Sequence, residues 1–206
     1  MFCFVANMSD DDHQDDLARM IRENTREWQT ARYWRDKPVR ERSTAKEVLT
    51  EAGLEVREFW SRDDDPPDCE GTVDGHWCGI EHTELVHEPT LRQSIKAQRE
   101  RLAGKDPKKP EVYFVWGQAD LLAALQRIID EKDQAAARMK GGPYARYMLV
   151  IETGEMFLYR EVVREYLTGA SFRTTHITNA FLSLGYEHDA DGRGYYPVFQ
   201  LRLVKS

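Results

Sequence analysis

The chain has 206 residues, 41% of them hydrophobic, which is enough for one good-sized core and short of the length at which two domains are usual. Acidic residues outnumber basic ones 36 to 29, and the net charge of −7 gives no overall attraction for a phosphate backbone. No run of about 18 apolar residues is present, which excludes a membrane-spanning helix, and the opening residues lack the basic start and apolar stretch of a signal peptide, so a cytoplasmic location is expected.

Asp10, Asp11, Asp12, Asp15 and Asp16 crowd the start, so residues 1–14 read as a solvated, frayed end and 15–206 as one domain. Leu17, Met20, Ile21, Trp28 and Ala31 recur at helical spacing and predict a helix over 16–35, ended by Pro38. A second helix is expected to begin at Thr44, where Thr-Ala-Lys-Glu47 matches a capping box, and to stop at Gly53. Residues 54–60 alternate as a strand, and Asp63-Asp-Asp-Pro-Pro67 interrupts it before a hairpin. Pro89 suits the first turn of a helix reaching about residue 103. Residues 111–116 (Glu-Val-Tyr-Phe-Val-Trp) read as a buried strand, 119–140 as a helix with Leu121, Leu122, Leu125, Ile128 and Ile129 inward, and 147–151 as another buried strand. A helix over 157–167 follows, then two paired strands, 181–188 and 195–204, around a turn at 189–194. Strands interleaved with helices predict an α/β fold with one central mixed β-sheet flanked by helices.

Asp74-Gly75 is a strong two-residue turn signal, because a type I′ turn needs positive φ at both central positions. It fixes a register in which Val73 pairs with His76, Thr72 with Trp77, Cys69 with Ile80 and Asp68 with Glu81. Opposed residues share a face with Cβ atoms about 4.5–5.5 Å apart, and opposed like charges are destabilising. Either a proton or a nearby arginine eases the repulsion, or a hard divalent cation neutralises it; Mg²⁺ takes one or two carboxylates plus water and phosphate oxygens. Thr83 lies on the face of Glu81 and His82 on the other.

Pro67-Asp68, twelve intervening residues and Glu81-His-Thr83 on a strand resemble the PD-(D/E)XK phosphodiesterase motif, with threonine in place of its lysine. The resemblance covers the region from the Thr44 helix to Trp116 in element order and implies a restriction-endonuclease-like fold. It also implies that Asp68 and Glu81 hold Mg²⁺ or Mn²⁺ and that Glu47 matches an accessory acidic residue. A lysine at position 83 would stabilise charge developing on the phosphate, a contact whose loss costs about 10²–10³ in rate. Threonine has no charge to offer, so either another amine serves, with Lys96 the candidate, or the site binds metal without efficient cleavage. Between Glu88 and Lys109 the local charge is +4, from Arg92, Lys96, Arg99, Arg101, Lys105, Lys108 and Lys109 against three acidic residues. Arg92, Lys96, Arg99, Lys105, Lys108 and Lys109 are the expected contacts to nucleic acid, DNA before RNA.

The expected function is accordingly a divalent-metal-dependent nuclease, and the alternative is a nuclease-fold binding or regulatory protein that has lost catalysis; monomer and homodimer both stay open. Three cysteines are an odd count that favours reduced thiols. Cys69, Cys78 and His82 fall on one face in the hairpin register, as a small metal cluster or as buried hydrophobes. Asp189-Ala-Asp-Gly192 lacks the bidentate glutamate of a calcium loop and reads as a turn. Phe2, Trp28, Trp60 and Trp116 read as core.

Overall fold

The computed structural model describes residues 37–63, 66–108, 112–188, 191–192 and 194–206. The start expected to be frayed, the helix expected over 16–35, Phe2, Cys3, Trp28 and Lys109 lie outside the described residues.

The hairpin forms in the expected register. Asp74 and Gly75 take φ of 48° and 74°, both positive as a type I′ turn demands. They join β2 (Cys69–Val73) to β3 (His76–Glu84), with Cys69 opposite Ile80 and Val73 opposite His76. Strand β1 (Val56–Ser61) runs antiparallel to β2, with its register broken between Arg57 and Trp60, where Glu58 has φ 47°. Gly71 lies under that bulge. A Cβ there would meet Phe59 Cδ2 at 2.6 Å and the Glu58 carbonyl oxygen at 2.9 Å.

Strand β4 (Arg146–Glu152) pairs parallel to β3, as the crossover between them requires. That crossover holds α2 (Glu88–Leu102) and α3 (Gln118–Ala136). The central run Tyr147-Met-Leu-Val-Ile151 is buried throughout, the pattern of a strand covered on both faces. After α4 (Arg160–Leu167) and β5 (Phe172–Thr174), β6 (Asn179–Ser183) adds parallel to β4, and β9 (Val198–Leu201) closes the sheet antiparallel. The result is a six-stranded mixed sheet in the order β1-β2-β3-β4-β6-β9. Two small pairs lie beside it: β7 (Glu187–His188) with β8 (Gly194–Tyr195), and β10 (Leu203–Lys205) with β5.

Helix α1 (Lys37–Glu51) covers one face of the sheet, burying Ala45, Val48 and Leu49 against Cys69, Val73, Cys78, Ile80, Met148, Val150 and Phe181. The larger apolar layer, on the other face, gathers Leu121, Leu125 and Ile129 of α3 with Leu149, Ile151, Ala180 and Leu182. Among the described residues no helix is long and apolar enough to cross a membrane.

Three expectations are corrected. Helix α1 starts at Lys37, two turns before Thr44, and Pro38 sits in its first turn, where a missing N–H costs nothing. Residues 112–117 form no strand, and the places beside β3 and β6 are taken by β2, β4 and β9. The segment docks by its rings instead: Phe114 stacks on His87 at 3.9 Å and meets Trp116 edge-on at 5.1 Å. Lastly, the two long strands expected near the C-terminal end are broken into β6, β7 and β8, β9, β10.

Candidate functional site

The hairpin register and the β3–β4 pairing put Glu70, Gly79, Glu81, Thr83 and Tyr147 on one face of the sheet. Glu81 is 1% exposed there, and a carboxylate withdrawn so far from water requires partners. It has two. Tyr147, on the neighbouring strand, donates its hydroxyl to Oε1 at 2.9 Å, and Lys132 of α3 donates from Nζ to Oε2 at 2.5 Å. The Lys132 side chain is 27% exposed, so it reaches from a wetter margin into the buried acid. Asp68 stands one residue before β2 begins. Its Oδ2 accepts the backbone N–H of His82 at 2.8 Å, which ties it to the residue beside Glu81, and its carbonyl accepts the N–H of Arg62 at 2.9 Å, closing the loop between β1 and β2.

Lys132 was not among the residues picked from the sequence, although a signal existed. The buried stripe of α3 runs Leu121, Leu125, Ile128, Ile129, Asp133 and Ala136. A lysine four residues beyond Ile128 is placed on that inward side, where a charge needs a partner. Asp133 beside it is held as firmly: its carboxylate accepts the Thr174 hydroxyl at 2.6 Å and the backbone N–H groups of Thr175, His176 and Ile177 at 2.7–2.9 Å. Burial by itself raises its pKa, but these four donors outweigh it and hold the group at about 2.

The other candidates are dispersed. Thr83 is half-buried on the face of Glu81. Lys96 is exposed on α2. Glu47 is exposed on α1, the helix that packs on the opposite face of the sheet from Glu81. Arg92 is exposed and pairs with Glu88 at 3.1 Å. Arg99, Lys105 and Lys108 are exposed, and the Lys108 backbone N–H is received by Glu100 at 3.0 Å.

On the α1 face, His82 Nε2 lies 3.2 Å from Glu152 Oε2, and Arg40 approaches the same carboxylate at 3.3 Å. The hydrogen bond from His82 leads in lowering the pKa of Glu152, against the opposing pull of burial and with Arg40 assisting. Cys69 and Cys78 are buried free thiols. Burial, with the nearby Asp68 carboxylate second, pushes the Cys69 thiol up to about 12, so it packs as a small hydrophobe and not as a thiolate ligand. Among the described residues no three His, Cys, Asp or Glu side chains converge as a metal cage. Two carboxylates remain sufficient for Mg²⁺, which keeps most of its waters.

A second polar group lies on the Glu81 face. Glu70 accepts hydrogen bonds from Trp60 Nε1 at 3.0 Å, the Arg62 guanidinium at 2.7 Å and the Tyr144 hydroxyl at 2.8 Å. Burial raises the pKa of Glu70, and these donors, Tyr144 first, more than reverse it. Trp60, expected in the core, is instead 41% exposed. No protein family, curated protein or solved structure matches the chain.

Proposed function

We propose that this protein is a divalent-metal-dependent phosphodiesterase acting on nucleic acid, DNA before RNA, with a restriction-endonuclease-like fold in which Asp68 and Glu81 hold Mg²⁺ or Mn²⁺. The observation that carries this reading is the buried Glu81 carboxylate at the same hairpin end as Asp68, with a lysine amine 2.5 Å away. The donor set fits a hard cation. Both groups offer oxygen, and of about four acceptor sites on a carboxylate Glu81 gives one to Lys132 and one to Tyr147.

A bound divalent cation supplies Lewis acidity and a more acidic water. The chain's own groups do the rest. Tyr147 and Lys132 fix the orientation of Glu81, and the His82 N–H fixes Asp68. Lys132 brings the positive charge that Thr83 lacks, at the place where charge on a phosphate develops. Arg92, Lys96, Arg99, Lys105 and Lys108 supply an exposed basic surface along α2 and the turn after it for the nucleic-acid backbone, and binding through it falls steeply with salt.

A second reading keeps the fold and loses the chemistry, and one observation favours it: Lys132 already neutralises Glu81 without a metal. Cleavage assays on full-length protein separate the two. With linear and single-stranded DNA in Mg²⁺, Asp68→Asn, Glu81→Gln and excess chelator are each expected to lower the rate at least 100-fold. Equal cleavage by wild type, Asp68→Asn and chelated protein rules the nuclease reading out. A wild type that binds DNA without cutting it supports the second.

A further inference from the structure

Beside Glu81, on the same face, stands an aromatic shelf. Trp60, Glu70 and Gly79 share one row across β1, β2 and β3. Glu81 lies two residues beyond Gly79, about 7 Å away, with Asp68 at the same end of the hairpin, and Trp77 lies two residues in the other direction, opposite Thr72. The Trp60 and Trp77 ring centroids are 5.2 Å apart, and Trp77 stacks on Tyr144 at 6.5 Å with planes 25° apart. Gly79 leaves room for this: a Cβ there would press on the Tyr144 ring at 3.1 Å.

The shelf is held in place. Glu70 takes hydrogen bonds from the Trp60 indole and the Tyr144 hydroxyl, and Arg62 neutralises its charge at 2.7 Å. Two large rings are thereby fixed with Trp60 still 41% exposed, so a stacking partner would not have to order them first. The separation of about 7 Å between that row and Glu81 matches roughly one nucleotide step of an extended strand, whose bases have open π-faces; a duplex hides those faces in its own stack.

We propose that Trp60, with Trp77 behind it, is a base-stacking subsite for single-stranded nucleic acid whose backbone passes Asp68 and Glu81. The assignment rests on reading that carboxylate pair as a phosphodiester site. Stacking of this kind is tolerant of sequence, since every base has a π-face.

Binding of a short labelled single-stranded DNA, followed by fluorescence anisotropy at low salt with chelator present, tests the subsite without metal. Trp60→Ala is expected to weaken binding about 10-fold or more, the range of one lost base stack. Trp60→Phe, which keeps a ring, is expected to stay within about threefold of wild type. Duplex of the same sequence is expected to compete poorly, and DNA is expected to quench the wild-type tryptophan emission. Unchanged affinity of a folded Trp60→Ala, equal competition by duplex, or no single-strand binding by the wild type each overturns the subsite. The two proposals fail separately. Binding with these ring effects but no cleavage in Mg²⁺ removes the nuclease alone, and cleavage by Trp60→Ala with unchanged KM removes the subsite alone.

Discussion

Lys132 Nζ meets Glu81 Oε2 at 2.5 Å, joining the last turns of α3 to the middle of β3 across 51 residues of sequence. The acid is 1% exposed, so removing the amine strands a charge in the interior. Breaking such a pair from one side costs about 3–5 kcal/mol, whereas neutralising both partners is far milder. Lys132→Met is therefore expected to lower the unfolding free energy by about 3 kcal/mol in urea. Lys132→Met combined with Glu81→Gln should recover much of that loss, with a coupling of about 1–3 kcal/mol. If the two changes simply add, the pair is not the unit described. Added Mg²⁺ discriminates further: if the carboxylates hold a cation, it should raise the Tm of Lys132→Met more than that of the double variant.

The bulge in β1 makes a second expectation. Gly71 faces Phe59 Cδ2 and the Glu58 carbonyl oxygen at distances no Cβ tolerates, and the second of these is backbone. Gly71→Ala should destabilise by about 1–3 kcal/mol, the usual range for overpacking. Gly185→Ala is the control, since nothing lies within 4 Å of a Cβ there, and it should stay within about 0.5 kcal/mol. Similar urea midpoints for the two variants would contradict the close packing under the bulge.

Cys69 and Cys78 carry a chemical expectation. Both are buried, and burial holds the Cys69 thiol at about 12, far above the pH at which thiolates alkylate. Iodoacetamide at pH 8 should leave both unmodified in the native protein and label both after unfolding, as read by mass spectrometry of their peptides. Rapid native labelling of Cys69 would show that the hairpin opens.

The hairpin was legible because Asp74-Gly75 leaves the backbone one sensible turn, and that turn fixes every opposed pair from Val73–His76 to Cys69–Ile80. Helix α3 was legible from its apolar stripe, to within a few residues of its end. Lys132 was legible only as an inward-facing charge and not as the partner of Glu81, because helical periodicity says which side of a helix faces inward and nothing about which strand waits there. The strand expected over 111–116 misled for a related reason. An unbroken apolar run satisfies a strand ladder or an aromatic pocket equally well, and here His87 stacks on Phe114. Trp60 reads as core in the sequence; its register opposite Glu70 in fact gives its indole N–H a carboxylate partner.

Asp133 makes the stability of the protein depend on acid in a way that can be isolated. Four donors, from Thr174 Oγ1 and the N–H groups of residues 175–177, converge on its carboxylate and bind the end of α3 to the turn after β5. Despite burial, they lower its pKa from an ordinary 3.8 to about 2. The folded state thus holds the proton less tightly than the unfolded chain. The contribution is complete above pH 4 and disappears as the pH falls from about 4 through 2, where both states are protonated. A depression of that size corresponds to about 2 kcal/mol. Asp133→Asn removes the titration and leaves one carbonyl oxygen for four donors, so it should be destabilised by about 2 kcal/mol or more at pH 7. The gap between wild type and variant should then narrow by about 2 kcal/mol between pH 5 and 2, while every other carboxylate cancels in the comparison. Urea unfolding of both proteins across that range measures it; a gap that stays constant with pH would mean the turn does not depend on the charge of Asp133.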